Sequence, residues 1–293
     1  MTQFSIITPL HQIPDTFLEC YQSLNQQAES FEWIIILNGN FIEKSQVLEI
    51  LKDQPILNKT KILHYQGHRG PSGPRNLGID NAIGEYIIFL DSDDYLEEQF
   101  LTILSKKIQA ISDTTFAIAA NGMRYGKYKT SMGKNNLIFS DEKLSKAKCS
   151  VNYIGSISGF CISNNLAVRF KENLTFFEDY DLYLTLISLG IPIYSFVDLK
   201  YFYCVSEESL TGHITKNNFN LINEARQIIL RQTIPDISNQ YLKILARIQL
   251  TRLEASHGRN ILKFSLLSIA IFLLFPIYFK DFLQRLYINF NFR

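Results

Sequence analysis

Gly84-Glu85-Tyr86-Ile87-Ile88-Phe89-Leu90-Asp91-Ser92-Asp93-Asp94 takes an apolar strand straight into three carboxylates within four positions. Ile87 to Leu90 show no polar alternation, which is the pattern of a strand buried on both faces. Its acids therefore stand at a carboxyl end, where open α/β sheets form their ligand crevices. Adjacent carboxylates repel and raise one another's pKa values. Two arrangements relieve this. One is a divalent cation, with oxygen-only ligands favouring Mg²⁺ or Mn²⁺. The other is a plain turn in which Asp91, Ser92 and Asp93 cap a helix opening near Tyr95. The run alone leaves both open.

Upstream, strands and helices alternate. Phe4 to Thr8 reads as a buried strand broken by Pro9, and a helix is expected from about Asp15 to Gln26, with Phe17, Leu18, Cys20, Tyr21 and Leu24 on its apolar face. Trp33 to Leu37 is a second strand, stopped by Asn38-Gly39-Asn40. A helix follows around Ser45 to Lys52, then a third strand at Lys61 to Tyr65. The Gly- and Pro-rich loop from Gln66 to Pro74 leads into a helix from Arg75 to Ala82. Such alternation predicts an α/β fold with a parallel sheet and right-handed crossovers. The loop suits a diphosphate, because glycine lets backbone amides come close and Arg69 and Arg75 pair with phosphate oxygens. A surface loop with solvated arginines explains the same residues.

With 293 residues and 46% hydrophobic content the chain has enough for one large α/β domain and a smaller appendage. A net charge of +1 gives no reason to expect a nucleic-acid partner. Cys20, Cys149, Cys161 and Cys204 are scattered without a C-x-x-C pair, which fits buried reduced thiols. The opening residues carry no basic region or cleavable apolar segment, so the expected setting is cytoplasmic.

A second acidic cluster, Glu178-Asp179-Tyr180-Asp181, opens an amphipathic helix to about Leu189, with Leu182, Leu186 and Leu189 inward and Gly190-Ile191-Pro192 ending it. Acids in a first helical turn are favoured by the helix dipole, so capping explains at least one of Glu178 and Asp179. The chemical alternative is a general base.

The order of these features resembles the inverting family 2 glycosyltransferases with a GT-A fold, over roughly residues 3 to 213. The resemblance rests on Ser5-Ile6-Ile7-Thr8-Pro9-Leu10, Pro74-Arg75-Asn76-Leu77-Gly78, the Gly84 to Asp94 run, Glu178-Asp179, and Tyr201-Phe202-Tyr203-Cys204 with Glu208-Ser209-Leu210-Thr211. It implies a mixed, mostly parallel, Rossmann-like sheet flanked by helices. It also implies a GT-A domain at residues 1–215, with a nucleotide-binding half at 1–95 and an acceptor half at 96–215.

Carried over residue by residue, the resemblance makes Asp179 the catalytic base, with Glu178 orienting the acceptor or capping the helix. Asp93 becomes the direct ligand of Mn²⁺ or Mg²⁺, and Asp91 lies near the ribose or a metal-bound water. Thr8, Pro9, Leu10, Asn38, Arg69, Arg75 and Ser92 fall on the donor side. Two departures stand out. Leu37-Asn38-Gly39-Asn40 replaces the family's D-D-G-S, and Asn can still pair with a uracil edge through its donor and acceptor. Cys204 replaces a frequent Arg. His213 is a candidate extra metal or phosphate ligand, against the bland reading of a structural histidine.

Residues 216–293 are expected to form a helical region. Ile261 to Phe279 is nearly all apolar and approaches the roughly twenty residues that cross a bilayer, but Pro276 interrupts it. Lys243, Arg247, Arg252 and Arg259 precede it, which favours a shallow membrane anchor drawn to anionic lipid over a spanning, core or dimerisation helix. The expected function is metal-assisted transfer of a sugar from a nucleotide-diphosphate donor, a UDP-sugar, to a hydroxyl of a glycan or lipid-linked oligosaccharide at the inner face of the cell membrane. The competing class is a noncatalytic nucleotide-sugar-binding or scaffold protein. Homo-oligomerisation is left open.

Overall fold

The computed structural model describes residues 3–39, 42–67, 70–126, 141–144, 154–174, 177–205 and 231. Four mutually parallel strands, β1 (Phe4–Leu10), β2 (Phe31–Asn38), β3 (Thr60–Tyr65) and β4 (Tyr86–Phe89), make its first half. Helices α1 (Phe17–Asn25), α2 (Lys44–Leu51) and α3 (Ser72–Asp80) connect them. The second half adds β5 (Tyr95–Leu96), α4 (Phe100–Gln109), β6 (Ala117–Gly126), β7 (Glu142–Lys143), β8 (Phe160–Ser163), α5 (Glu178–Ser188) and β9 (Ile193–Val205). Among the described residues the strands form one sheet in the order β3-β2-β1-β4-β8-β6-β9-β5, with β7 also on β9. β8 enters antiparallel between β4 and β6, so the sheet is mixed and mostly parallel, as expected.

β1, β2 and β4 are largely apolar on both faces because both faces are covered, whereas β3 at the sheet edge exposes Lys61 and His64. Ile6, Ile7, Trp33 to Leu37 and Ile87 to Leu90 are all fully buried. Helix α3 lies so close to β1 that a Cβ on Gly78 would fall 2.5 Å from Ile7 Cγ2. Only glycine fits there without a shift.

The structure departs from the sequence expectations at several places. β1 continues through Pro9 to Leu10, pairing Pro9 with Ile36 and Leu10 with Leu37 on β2. Its pairing with β4 ends earlier, at Ile7 and Phe89, so the missing proline N–H falls where one neighbour has left. Helix α3 starts at Ser72 rather than Arg75, since Pro74 lies in the first turn, where an N–H has no intrahelical partner to lose. Leu18 is 47% exposed, because the buried stripe of α1 runs through Phe17, Cys20, Tyr21 and Leu24. Leu189 is 60% exposed because α5 has already ended. Gly190, at φ +76, turns the chain there, with Gly190 N–H donating to Ile187 O (3.0 Å) and Ile191 N–H to Leu186 O (2.9 Å). No helix opens near Tyr95. Tyr95 and Leu96 pair instead with Phe202 and Tyr201 of β9, and the next helix begins at Phe100.

Cys20, Cys161 and Cys204 are buried free thiols. Among the described residues no helix is long and apolar enough to cross a membrane. The chain divides into two compact units, Met1–Leu144 with Asn152–His213, and Ser145–Val151 with Ile214–Arg293. Apart from Arg231, every described residue belongs to the first. The anchor expected at Ile261 to Phe279 lies outside the described residues.

Candidate active site

Asp91 to Asp94 form a turn just beyond the carboxyl end of β4, closed by the Asp94 N–H donating to Asp91 O at 3.1 Å. Elements distant in sequence hold it. Gly159, at φ +73, brings its N–H to Phe89 O at 2.8 Å. This sets Ser158 so that its Oγ accepts the Asp91 N–H at 3.0 Å. From the start of α1, Thr16 Oγ1 donates to Asp93 O at 2.9 Å. Asp94, fully buried, accepts the Cys204 N–H from β9 at 2.9 Å.

Arg75 is the hub. From the middle of α3, its Nη2 donates to Asp91 Oδ1 at 2.6 Å and its Nη1 to Glu178 Oε1 at 2.7 Å. The guanidinium is 2% exposed and lies 5.4 Å from the Phe170 ring centroid. Burial alone would lower the Arg75 pKa, but the Asp91 and Glu178 charges outweigh it and raise it further. Arg75 is thus a permanent cation joining the two acidic clusters. Asn76, the next residue, ties the same helix to the segment before α5, donating to Phe170 O at 2.9 Å and accepting the Phe170 N–H at 2.8 Å.

Helix α5 begins abruptly. Phe177, its N-cap, sits in the left-handed region at φ 62, an uncommon place for a bulky side chain. The turn delivers Glu178 to Arg75 and leaves Asp179 half-buried beside it. Burial, then the Glu178 charge, pushes Asp179 up to about 7, against the pull of the Tyr180 amide and Arg75. Burial and the Asp91 charge push Asp93 up to about 6, against its own backbone amide and Arg75. Burial and the Asp93 and Asp91 charges hold Asp94 well above the carboxylate range, against Ser158 and the Cys204 amide. Asp181 plays another part, as the buried partner of Lys171 Nζ at 2.7 Å.

The structure therefore brings Arg75, Asp91 and Glu178 into direct contact, with Asp93 and Asp179 in the same field. Ser92 is partly buried in the turn. Thr8 and Leu10 are fully buried, and Thr8 Oγ1 accepts the Trp33 Nε1–H at 2.9 Å, so both face the core and their strand offers backbone. Pro9 is partly exposed between them. Asn38 donates its amide to Gly70 O at 2.8 Å, fastening the end of β2 to the loop before α3. Arg69 and His213 lie outside the described residues. Among the described residues no three His, Cys, Asp or Glu side chains form a metal-ligand group, so Asp91 and Asp93 offer two carboxylates. A cavity of about 440 Å³ lined by Ile83 to Tyr86, Thr114 and Ser163 to Asn165 lies at the other, amino-terminal end of β4. The Asp91–Asp94 turn and Arg75 lie at the carboxyl end. Sequence reasoning missed Ser158 and Thr16. The Gly155-Ser156-Ile157-Ser158-Gly159 stretch before β8 was the available signal for the first, and Thr16 gave none.

Residues 5–165, more than half of the chain, match the family profile described as Glycosyl transferase family 2. The chain belongs to this family. The match takes in the Asp91 turn and Arg75, while Glu178 and Asp179 lie beyond it. This family 2 glycosyltransferase is 32% identical over 167 residues to an uncharacterized glycosyltransferase of Rickettsia felis, a match taking 56% of this chain and 23% of that protein. It is 29% identical over 104 residues to poly(ribitol-phosphate) beta-N-acetylglucosaminyltransferase TarS of Staphylococcus aureus, covering 34% of this chain and 18% of that protein. The chain thus matches about a quarter or less of the length of these two relatives. Crystallised TarS 1–349 in complex with UDP-GlcNAc superposes with a TM-score of 0.65 at 17% identity, covering 87% of this chain and 72% of that one. The mannosyltransferase PcManGT of Pyrobaculum calidifontis, in complex with GDP-Man and Mn²⁺, gives 0.62 at 11% identity, covering 92% and 74%. At such identities the likeness is one of fold, the GT-A fold of the TarS domain.

Proposed function

We propose that this family 2 glycosyltransferase inverts configuration as it moves a sugar from a UDP-sugar to a hydroxyl of a glycan or lipid-linked oligosaccharide. The observation that carries the reading is the double ion pair of Arg75. One buried guanidinium holds the carboxyl end of β4 and the start of α5 together, so that Asp179 stands next to the Asp91 turn with its proton affinity raised to about 7. A base with a pKa near the working pH is best matched to its task. Asp179 would take the proton of the acceptor hydroxyl as that oxygen bonds to the anomeric carbon. The bond to the nucleoside diphosphate breaks on the opposite face, and configuration inverts.

Asp91 and Asp93 fit a divalent ion. Two oxygen donors beside a diphosphate are what Mg²⁺-type sites use, and the raised proton affinity of Asp93 marks a turn short of positive charge. When bound, Mn²⁺ or Mg²⁺ would stabilise charge on the departing diphosphate. Arg75, with two hydrogen bonds already committed to the protein, orients the carboxylates. Asn38 at the end of β2 is the candidate contact to the nucleobase. The likeness to TarS, a poly(ribitol-phosphate) beta-N-acetylglucosaminyltransferase crystallised in complex with UDP-GlcNAc, supports a UDP-sugar donor and a polyol- or glycan-type acceptor. A place at the inner face of the cell membrane follows from the basic, apolar carboxyl-terminal sequence.

Asp179→Asn tests the reading. Transfer should fall by about 10²–10⁴-fold, while UDP affinity measured calorimetrically with Mn²⁺ stays unchanged. Substantial retained turnover would remove Asp179 as the base. Release of UDP from UDP-GlcNAc without acceptor would separate an enzyme from a pure binder.

A further inference from the structure

The third acid of the opening run lives in different surroundings from the other two. Asp93 is partly exposed and the Asp91 side chain is 30% exposed, but Asp94 is completely buried. It does not cap a helix, since α4 starts at Phe100. Burying a carboxyl group is costly unless it is hydrogen-bonded. Asp94 Oδ1 accepts the Cys204 N–H, 110 residues away, and the Ser158 hydroxyl also faces its carboxyl group. Around that contact Tyr95 and Leu96 pair with Phe202 and Tyr201, and the Tyr95 ring stacks on Phe202 at 4.6 Å and 15°. The other tethers of the turn come from α3 (Arg75), α1 (Thr16) and the loop before β8 (Ser158). Asp94 supplies the tether to β9. Because the donor is the backbone amide of Cys204, this contact does not depend on which side chain stands at 204.

We propose that Asp94 is a positioning residue that fixes the Asp91–Asp93 turn against β9, so that ion-assisted donor binding depends on a buried contact outside the donor site itself. The inference rests on the reading of Asp91 and Asp93 as the residues that hold the ion. The contact requires an acceptor oxygen at the right distance and no charge. Asparagine should therefore replace Asp94, and alanine should not. With the acceptor gone, the turn keeps its tethers to α3, α1 and the loop before β8, but only the β5–β9 pairing that follows it still holds it toward β9, so the turn itself can shift. The two carboxylates would then lose their common geometry while the fold persists.

The test compares wild type, Asp94→Asn and Asp94→Ala as full chains, titrated with UDP in Mn²⁺ and again in EDTA. Asp94→Asn should keep the wild-type gain in UDP affinity on adding Mn²⁺ to within about threefold. Asp94→Ala should lose tenfold or more of that gain, with its affinity in EDTA unchanged. Asp94→Ser, whose acceptor is one bond shorter, serves if the alanine variant does not fold, and should show the same loss. A merely structural role would lower the melting temperature and leave the Mn²⁺ gain intact, which overturns the proposal. So would an asparagine variant that loses as much as alanine. Amide hydrogen exchange in the ligand-free protein separates this proposal from the ion reading on which it rests. Exchange across residues 91–94 should speed up in Asp94→Ala and stay at wild-type rates in Asp94→Asn. Unchanged rates in both dismiss the tether. If wild type shows no Mn²⁺ gain, the ion reading fails, and the exchange result still decides whether Asp94 holds the turn.

Discussion

Asp179 sits where its own ionisation is opposed, and this has two consequences that can be measured separately. Burial and the Glu178 charge raise its pKa to about 7. A base must be deprotonated to act, so kcat/KM should climb with pH up to about 7 and level above it, and a flat profile from pH 5 to 8 would contradict the assignment. Stability follows the opposite course. The folded state binds the Asp179 proton more tightly than the unfolded chain, whose carboxyl group titrates near 3.9. Between about 4 and 7 rising pH therefore removes stability, and above 7 the full cost is present. Asp179→Asn removes that cost and keeps an oxygen for the Tyr180 amide. The variant should melt higher than wild type at pH 8, by a stability difference on the order of 1–2 kcal/mol, and match it near pH 4. The proposal of this residue as a base rests, in the sequence, only on its place in an ordered set of motifs. Its altered proton affinity was not legible there, because it arises from burial and from the Glu178 and Asp91 charges, against the pull of Arg75, and these groups meet only in the folded chain.

Helix α3 is the element on which the site depends, and its contribution can be sized. Arg75 is 2% exposed and is paired with both Asp91 and Glu178. Removing one member of a buried charge group leaves the others unpaired, at a cost of about 3–5 kcal/mol. Arg75→Leu should therefore lower the unfolding free energy obtained from urea titration by that amount, far more than replacing the exposed Arg169 of the Asp80 pair, where about 0–1 kcal/mol is expected. A shift no larger than that of Arg169→Leu would mean the hub is solvated after all. The sequence showed an arginine in a helix after a Gly-rich loop, which is equally the mark of a solvated surface residue. Partners at 91 and 178 decide the matter, and no local pattern carries them. Tyr95 teaches the same lesson in the other direction. A capping signal was present in the preceding acids, but pairing with Phe202 across the sheet overrode it.

At the scale of the whole molecule, the parallel half was legible because β1, β2 and β4 are largely apolar runs and helices separate the successive strands. The order β4-β8-β6-β9 was not, since its antiparallel pairs join segments far apart in the chain with no hairpin signal between them. The sequence after residue 241 still makes a prediction for the 293-residue chain. After residue 241 eight basic residues face only Glu254 and Asp281, and an apolar stretch from Ile261 to Phe279 follows the first four. Each basic residue near an anionic surface contributes about 1 kcal/mol, and that attraction fades with salt, while apolar insertion does not. The chain should therefore sediment with vesicles containing anionic lipid and less with neutral ones. Replacing Lys243, Arg247, Arg252 and Arg259 by Gln should narrow the difference between the two. Raising the salt should weaken the anionic component in wild type more than in the four-fold variant. Deleting residues 260–293 should release the protein from both kinds of vesicle, with circular dichroism confirming that it is folded. Persistent sedimentation of that truncated chain would rule out the segment as the anchor.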